Sequence, residues 1–187
     1  MKLITQPTAE PITLAEARAH LRVTHTDEDA LISALIVAAR ADAENELQRS
    51  LITQTREIAR DDFPDAIELR FGPVIEVVSV KFDDVDGIEQ TLDPATYRLD
   101  TYRLTAWIVP DPDYSWPETR PHVNAVRVRY TAGYGPSASD VPMPIRQWIL
   151  LRIGTLFEHR ESVAAGVTVA SVPYVDRLLD PYRVPTF

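Results

Sequence analysis

One stretch of this chain, residues 30–39, is apolar at nine of its ten positions, with Ser33 as the exception. The acidic run 27–29 precedes it and suits the positive end of a helix dipole, so we predict a helix that continues to about Arg49. The apolar run is too short to cross a bilayer, which takes about 20 residues. A helix with apolar side chains on nearly every side needs protein contacts on more than one side. The chain therefore has to bury this helix in a core, in a subunit contact, or in both.

Other segments also carry helical signals. Thr13 and Glu16 have the spacing of a capping box, which predicts a short helix to about residue 22. The prolines that open segment 141–159 suit the first turn of a third helix, whose apolar positions are again widely distributed. Residues 174–180 predict two helical turns before an extended tail. Residues 161–172 are small or β-branched without a clear period, and we predict a mobile segment there.

The middle of the chain alternates with period two, which is typical of strands. An Asp86-Gly87 pair marks a tight hairpin. We predict an α+β fold, in which a small helical bundle from the N- and C-terminal segments carries an inserted antiparallel β-sandwich-like domain. We predict that residues 1–50 form the first part of the helical domain and that residues 51–135 form the β insertion domain. Residues 136–187 form the second part of the helical domain, with a C-terminal docking tail. The predicted strands are 53–59, 66–71, 74–82, 97–99, 106–109 and 125–130.

Composition excludes several classes of function. The formal net charge of −9 argues against wrapping nucleic acid or docking on an anionic membrane, because both need a basic surface. The chain has no cysteine, which excludes disulfides, a thiol nucleophile and the usual structural zinc sites. Residues 1–14 lack the apolar core of a secretory signal peptide, so we expect a cytoplasmic protein.

No motif predicts a metal site. Residues 83–87 resemble the start of a calcium loop, but that register would place Phe82 at the first ligand position and Asp93 at the last. A solvated hairpin explains the acidic residues better. None of the histidines has the i, i+4 spacing of a helical metal site, and we expect surface or capping roles for them. They are His20, His25, His122 and His159.

No motif predicts an active site either. Residues 133–138 formally match a phosphate-binding glycine loop, but Pro136 removes a backbone N–H and the next helix starts too late. Asp61 and Asp62 point to opposite sides of an extended chain and would not share a proton. The sequence contains no G-x-S-x-G nucleophile elbow. We therefore expect no catalytic residue, no cofactor and no bound metal.

The unusual feature is a surplus of apolar helix surface on a small acidic chain. A well-buried bundle would explain it, and so would a contact between subunits. The predicted subunit-interface residues are Leu31, Leu35, Trp148, Leu151, Arg152 and Phe157.

The C-terminal tail has the aromatic and arginine content of a docking peptide. The alternative is a C-terminus that packs on its own domain. The residues of the tail that we predict to dock are Tyr174, Leu178, Leu179, Pro181, Tyr182, Arg183 and Val184.

Taken together, several short motifs resemble head-to-tail connector proteins of long-tailed bacteriophages, also called adaptor or head-completion proteins. Each motif is weak alone, but their order and spacing cover nearly the whole chain. Residues 83–118, around Trp116, fit no part of the pattern. The motifs are Pro-Ile-Thr-Leu-Ala-Glu-Ala at 11–17, Leu-Arg-Val at 21–23, the acidic run at 27–29, Arg-Tyr-Thr-Ala-Gly-Tyr-Gly at 129–135, Val-Pro at 141–142, Val-Pro-Tyr at 172–174 and Leu-Leu-Asp-Pro-Tyr-Arg at 178–183.

This resemblance implies a non-enzymatic ring of twelve copies that attaches beneath the portal protein after DNA packaging. The ring would be a platform for the next connector or stopper protein. DNA would pass through its channel without specific binding, and no membrane or cofactor is involved. The C-terminal tail would be the portal-docking segment. The protein would reside in the virion, at the head-to-tail interface, after assembly in the cytoplasm of the bacterial host.

A ring of copies with charge −9 repels itself, so the contacts between copies must be apolar or charge-paired. We expect a set of arginines to face the acidic β domain of a neighbour. These are Arg120, Arg127, Arg129, Arg146, Arg152 and Arg160.

Two other functions remain open at this point. One is another virion morphogenesis component, such as a stopper or a minor tail protein, which would differ in the partner that its C-terminus binds. The other is a small carboxylate-dependent hydrolase that uses acidic residues of the β insertion, and it would show tight divalent-ion binding or a deep polar pocket.

Overall fold

The computed structural model describes residues 1–159 and 173–185, and the chain divides into two compact units. A β unit combines Met1–Thr8 with Thr53–Tyr134, and a helical unit combines Ala9–Ile52 with Gly135–Phe187. The predicted α+β class with antiparallel sheets is confirmed. Among the described residues, no helix has the length and apolar character that a membrane span requires. The predicted mobile segment, 161–172, lies outside the described residues.

The helical unit contains helices in the predicted places. Their ends differ from the predictions by a few residues. Short 3-10 helices lie at Ala138–Asp140 and Asp180–Tyr182. The α-helices are α1, Leu14–Leu21; α2, Asp29–Leu47; α3, Met143–Glu158; and α4, Pro173–Asp176.

The predicted capping box sets the start of α1. The Thr13 hydroxyl accepts the Glu16 backbone N–H at 3.2 Å, and a Glu16 carboxylate oxygen accepts the Thr13 backbone N–H at 2.8 Å. Both bonds satisfy N–H groups that have no partner within the helix. The helix ends where Arg22 adopts a left-handed conformation, with φ 57°.

Helix α2 is covered along one stripe and open along the other. It packs against α1 and α3. The buried apolar stripe repeats every three or four residues, as a helix face does: Ile32, Ile36, Ala39, Ala43 and Leu47. The uncovered side remains largely apolar, with exposed Leu31, Ala34, Val37, Ala38 and Ala41. We expected cover on more than one side, and a single copy of the described chain provides only part of it.

The β unit consists of two antiparallel sheets. A five-stranded sheet has the order β1-β2-β8-β4-β5, and a three-stranded sheet has the order β3-β7-β6. The strands are β1, Lys2–Thr5; β2, Gln54–Arg60; β3, Ile67–Leu69; β4, Val74–Asp83; β5, Glu89–Thr91; β6, Tyr97–Asp100; β7, Ala106–Pro110; and β8, Val126–Ala132. Six of these correspond to predicted strands.

The strands that the sequence did not predict are β1 and β5. Every residue of both strands is exposed, so neither has the apolar alternation that reveals a half-buried strand. Because β1 pairs with β2, residues 1–8 join the β unit. The predicted division placed them in the helical domain, and the structure differs from it there.

The core of the β unit contains side chains from both sheets. Val80 and Val128 of the larger sheet pack in one cluster with Leu69 and Ile108 of the smaller one. Trp116, in the proline-rich loop 110–117, packs against this cluster. Its ring stacks on Phe63 with centroids 4.8 Å apart and an interplanar angle of 12°. Tyr114 of the same loop is 51% exposed.

Candidate functional site: assembly surfaces

Most of the predicted subunit-interface residues lie at the surface of the helical unit. Leu31 on α2 is 37% exposed, and Leu35 is half-buried beside it. On α3, Leu151 and Phe157 are half-buried. We call the uncovered side of α2, from Leu31 to Ala41, the α2 face.

Arg152 lies at the surface between α3 and α2. Its Nε donates to Asp42 Oδ2 at 2.9 Å, and both side chains are more than two-fifths exposed. An exposed pair of this kind adds about 0–1 kcal/mol to stability, so it leaves Arg152 free to exchange partners.

Trp148 differs from the prediction. It is only 6% exposed, and its indole N–H donates to Asp176 Oδ1 at 3.2 Å. The residue therefore holds α4 against α3 inside its own protomer. It is buried because it faces α4, which the apolar pattern of α3 alone does not reveal.

The C-terminal segment packs on its own helical unit, which is the alternative that the sequence left open. Leu179 is fully buried, and the backbone N–H of Val184 donates to the Leu47 carbonyl oxygen at 3.1 Å. Arg183 pairs with Glu46 at 3.1 Å. These contacts leave a distinct part of the segment accessible.

The accessible part of the segment centres on Pro181 and Arg183, which are exposed, while Leu178, Tyr182 and Val184 are half-buried. Residue 174 lies in α4, and its side chain is outside the described set. A partner that binds this segment as it is folded would thus contact Pro181, Arg183 and the outer sides of their neighbours.

A buried charge cluster fixes the end of α2. Arg40 donates to Glu44 Oε2 at 3.2 Å and to Glu10 Oε2 at 2.7 Å. The side chains of Arg40 and Glu44 are both only 6% exposed. Glu44 Oε1 also accepts the Leu51 backbone N–H at 2.9 Å. These ions satisfy one another, so the cluster is structural.

The outer face of the five-stranded sheet is charged and largely paired. Arg129 contacts Glu57 at 2.8 Å, and Arg127 contacts Asp83 at 2.6 Å and Glu89 at 3.0 Å. Hydrogen bonding to Arg127 lowers the pKa of Asp83 from its usual value. The acidic β unit therefore neutralises part of its own charge.

Most of the arginines that we expect to face a neighbouring subunit also have carboxylate partners within their own chain. Arg127, Arg129, Arg146 and Arg152 already contact carboxylates of their own chain. The backbone N–H of Arg120 donates to Asp83. Arg160 lies outside the described residues.

The acidic turn after β4 is a hairpin. Asp84 Oδ1 accepts the backbone N–H groups of Asp86 at 3.1 Å and Ile88 at 2.9 Å, and its other oxygen accepts the Gln90 amide at 2.8 Å. The bond from Gln90 is the main cause of a lowered pKa for Asp84. Gly87 adopts φ +83°, which a side chain would strain. Across residues 1–159 and 173–185, no three His, Asp or Glu side chains cluster as a metal site would.

The glycine run after β8 forms a turn. The backbone N–H of Gly133 donates to the Pro73 carbonyl oxygen at 2.9 Å, so it is not directed at a phosphate. Gly135 lies against Asp140, whose Oδ2 accepts the Ser137 backbone N–H at 2.8 Å. Here the chain needs glycine for close packing.

Each unit has a surface concavity. The one in the helical unit has a volume of about 520 Å³ and is mainly apolar, with Ile12, Leu14 and Val37 among its lining residues. The one in the β unit, about 440 Å³, lies beside Asp61 and His122. Asp61 accepts the Asn124 backbone N–H at 2.9 Å, which gives it a structural role in this loop.

Comparison with known proteins finds similar sequences and similar structures. Residues 11–98 match the family described as "Phage gp6-like head-tail connector protein". No curated protein matches the chain. The resemblance that the sequence motifs indicated is confirmed.

Solved structures match over the full length. A chain from "Virion of native gene transfer agent (GTA) particle" has a TM-score of 0.82 and 24% identity, and the match covers 100% of this chain and 96% of that one. Chains from "Neck of empty GTA particle computed with C6 symmetry" and "Neck of native GTA particle computed with C12 symmetry" both have TM-scores of 0.77, at 27% and 26% identity. Each of these two matches covers 100% of this chain and 97% of the other. The matches indicate a structural, non-enzymatic connector, and the hydrolase alternative is not supported.

Proposed function

We propose that this structural connector is the adaptor of a tailed bacteriophage or gene transfer particle, and that it forms a ring under the portal protein. The observation that carries the proposal is the likeness of the whole chain to chains from particle necks, one of them computed with C12 symmetry. A ring of twelve copies in the neck follows if this chain assembles as that one does. Assembly would take place in the host cytoplasm.

The α2 face supports a contact between neighbouring copies. Leu31 is exposed and Leu35 half-buried on α2, with Leu151, Arg152 and Phe157 at the surface of α3. An apolar contact is what a ring of acidic subunits needs, because a net charge of −9 per copy repels the neighbours. Burial of apolar surface contributes about 25 cal/mol per Å² and therefore acts against that repulsion.

The C-terminal segment supports a contact with the portal protein. Pro181 and Arg183 are exposed on a segment whose backbone is held by Leu47 and Arg49, so it is presented in one conformation. Binding a preorganised segment costs less entropy than ordering a free tail. The assembled ring would bind the next connector or stopper protein, and DNA would pass through the acidic ring without specific binding.

Native mass spectrometry of the protein mixed with its portal ring tests this proposal. We expect one copy of this chain for each portal subunit. The double variant Pro181→Glu with Arg183→Glu should lose portal binding, whereas Leu31→Asp should weaken the contact between copies. Arg103→Glu, at an exposed residue outside both surfaces, is the matched control and should bind normally.

The outcomes separate the remaining candidates. Absence of binding to the portal by the folded wild-type protein would contradict the adaptor role. Binding to a tail or stopper component instead would assign the chain to another position in the neck.

A further inference from the structure

Three bulges in the five-stranded sheet share an unusual property. The pairing of β1 with β2 skips Ile4, and the pairing of β4 with β8 skips Ile75 and Val78. Each of the three is an exposed β-branched apolar residue, at 40%, 51% and 51% exposure. A bulge bends the strand and redirects the extra side chain. The sheet thus places apolar side chains outward at sites where its own pairing is interrupted.

These residues lie at the two open edges of one sheet. Strand β1 is an edge strand that pairs only with β2. Strand β4 pairs with β5 only through Lys81–Asp83. Among the described strands, none is registered beside residues 74–79 on the side away from β8. The sheet therefore ends in two different apolar edges, one with Ile4 and the other with Ile75 and Val78.

The two edges are compatible in direction and length. Strand pairing is antiparallel throughout, so β1 and β4 run in opposite directions. Copies related by rotation about an axis along the strands keep their strand directions, and β1 of one copy would lie antiparallel to β4 of the next. Four residues of β1 would lie along the six of 74–79.

The charges on the two edges are complementary. Lys2, Glu57 and Arg129 are register partners across β1, β2 and β8, which gives alternating charges on the outer face of the sheet. Glu76 is registered with Thr131 on the same face, where Thr131 Oγ1 and Glu76 Oε1 are 3.5 Å apart. A neighbour's Lys2 placed beside Glu76 would continue this alternation.

We infer that β1 of one copy packs against the edge of β4 in the next copy, with Lys2 beside Glu76 and Ile4 against Ile75. The inference deepens the proposed ring and rests on it. The contact joins different surfaces of two copies, and such a contact closes into a ring when the rotation allows it. The bulges interrupt regular strand pairing at both edges, which opposes the indiscriminate edge-to-edge aggregation of open sheets.

Disulfide trapping tests the contact directly, because the chain has no cysteine of its own. The double variant Ile4→Cys with Ile75→Cys, assembled on the portal ring and oxidised, should give a ladder of cross-linked chains on a denaturing gel. Each single-cysteine variant should stay monomeric on the gel. The pair Ile4→Cys with Val123→Cys is the matched control, because Val123 is 71% exposed and lies in a loop away from both edges. It should give no ladder.

A charge reversal provides the second measurement. Lys2→Glu and Glu76→Lys should each weaken the association of copies by about two- to fivefold, as exposed ion pairs do, and the double variant should restore it. Native mass spectrometry of the same samples reports whether the ring forms at all. A ring without the ladder would overturn this inference and leave the adaptor role standing. Failure of the wild type to form any ring would overturn the proposed ring itself.

Discussion

The Nε of Arg49 donates to the carbonyl oxygen of Tyr182 at 2.6 Å. The two residues are far apart in sequence, and this bond joins the end of α2 to the C-terminal segment. Arg49 is 8% exposed, so the bond forms largely out of water. Together with the bond from Val184 to Leu47, it holds the segment that we propose to bind the portal.

We expect Arg49→Met to loosen this segment without unfolding the helical unit. Hydrogen bonds to a charged group contribute about 1.5–3 kcal/mol, so local opening should become at least tenfold more frequent. Hydrogen exchange at the Val184 amide measures it. Arg183→Met is the control, because its ion pair with Glu46 is exposed and should change that exchange by less than about fivefold. Equal protection in Arg49→Met and the wild type would contradict the prediction.

Arg40→Met should destabilise the protein far more than Arg152→Met. The first leaves Glu44 buried without its arginine, which costs about 3–5 kcal/mol, whereas the second removes an exposed pair worth about 0–1 kcal/mol. Denaturant unfolding of both variants gives the comparison. The prediction is wrong if the two midpoints shift equally.

Glu16 should make stability depend on pH in the acid range. The backbone N–H of Thr13 is the main cause of a lowered pKa for Glu16, and the Arg146 guanidinium lowers it further. A carboxylate with a lowered pKa in the folded state stabilises the protein above its unfolded pKa, about 4.3 for glutamate, and loses that effect as pH falls through the folded value.

The melting temperature of Glu16→Gln should therefore lie below that of the wild type at pH 6, and the gap should narrow toward pH 3. Glu158→Gln, at an exposed position on α3, provides the control and should track the wild type throughout. A gap that stays constant across this range would rule out ionisation of Glu16 as its source.

Two glycines should respond to alanine in opposite ways. A Cβ on Gly135 would clash with Asp140 Oδ2 and would lie 2.7 Å from the Asp140 Cβ. The turn would have to shift, which costs about 1–3 kcal/mol of stability. Among the described residues, a Cβ on Gly154, within α3, would contact the His20 ring, with Nε2 at 3.5 Å and Cδ2 at 3.9 Å, which are ordinary contact distances. Because alanine favours a helix interior over glycine by about 1 kcal/mol, Gly154→Ala should stabilise the protein. Thermal unfolding of both variants tests the signs, and destabilisation by Gly154→Ala would contradict the second.

The elements that the sequence predicted are those whose burial leaves a periodic pattern. Strand β8 alternates buried and half-buried residues along its length, and α1 begins with a capping box that its sequence states directly. The sequence did not predict β1 and β5, because all their residues are exposed and leave no periodic apolar pattern. Both strands form only because they pair with strands elsewhere in the chain.

The predicted interface residues also divide into those whose exposure could be predicted from the sequence and those whose burial could not. The α2 face could be predicted, because α2 has more apolar residues than one buried stripe can accommodate, and the others remain exposed at the surface. Trp148 could not be assigned correctly, since its indole reaches Asp176 on a helix of only four residues. The bulges at Ile4, Ile75 and Val78 arise from register, which depends on two strands at once.

The interleaving of the two units has a consequence for synthesis. Strand β1 leaves the ribosome first but needs β2, and β2 needs β8, which ends at Ala132. Helix α2 needs α3, which ends at Glu158. The β unit cannot close before Ala132 has been translated, and the helical unit cannot close before Glu158. Every chain that ends before Glu158 therefore lacks at least one finished unit. Only nearly full-length chains, in which both units are folded, can then assemble into the particle.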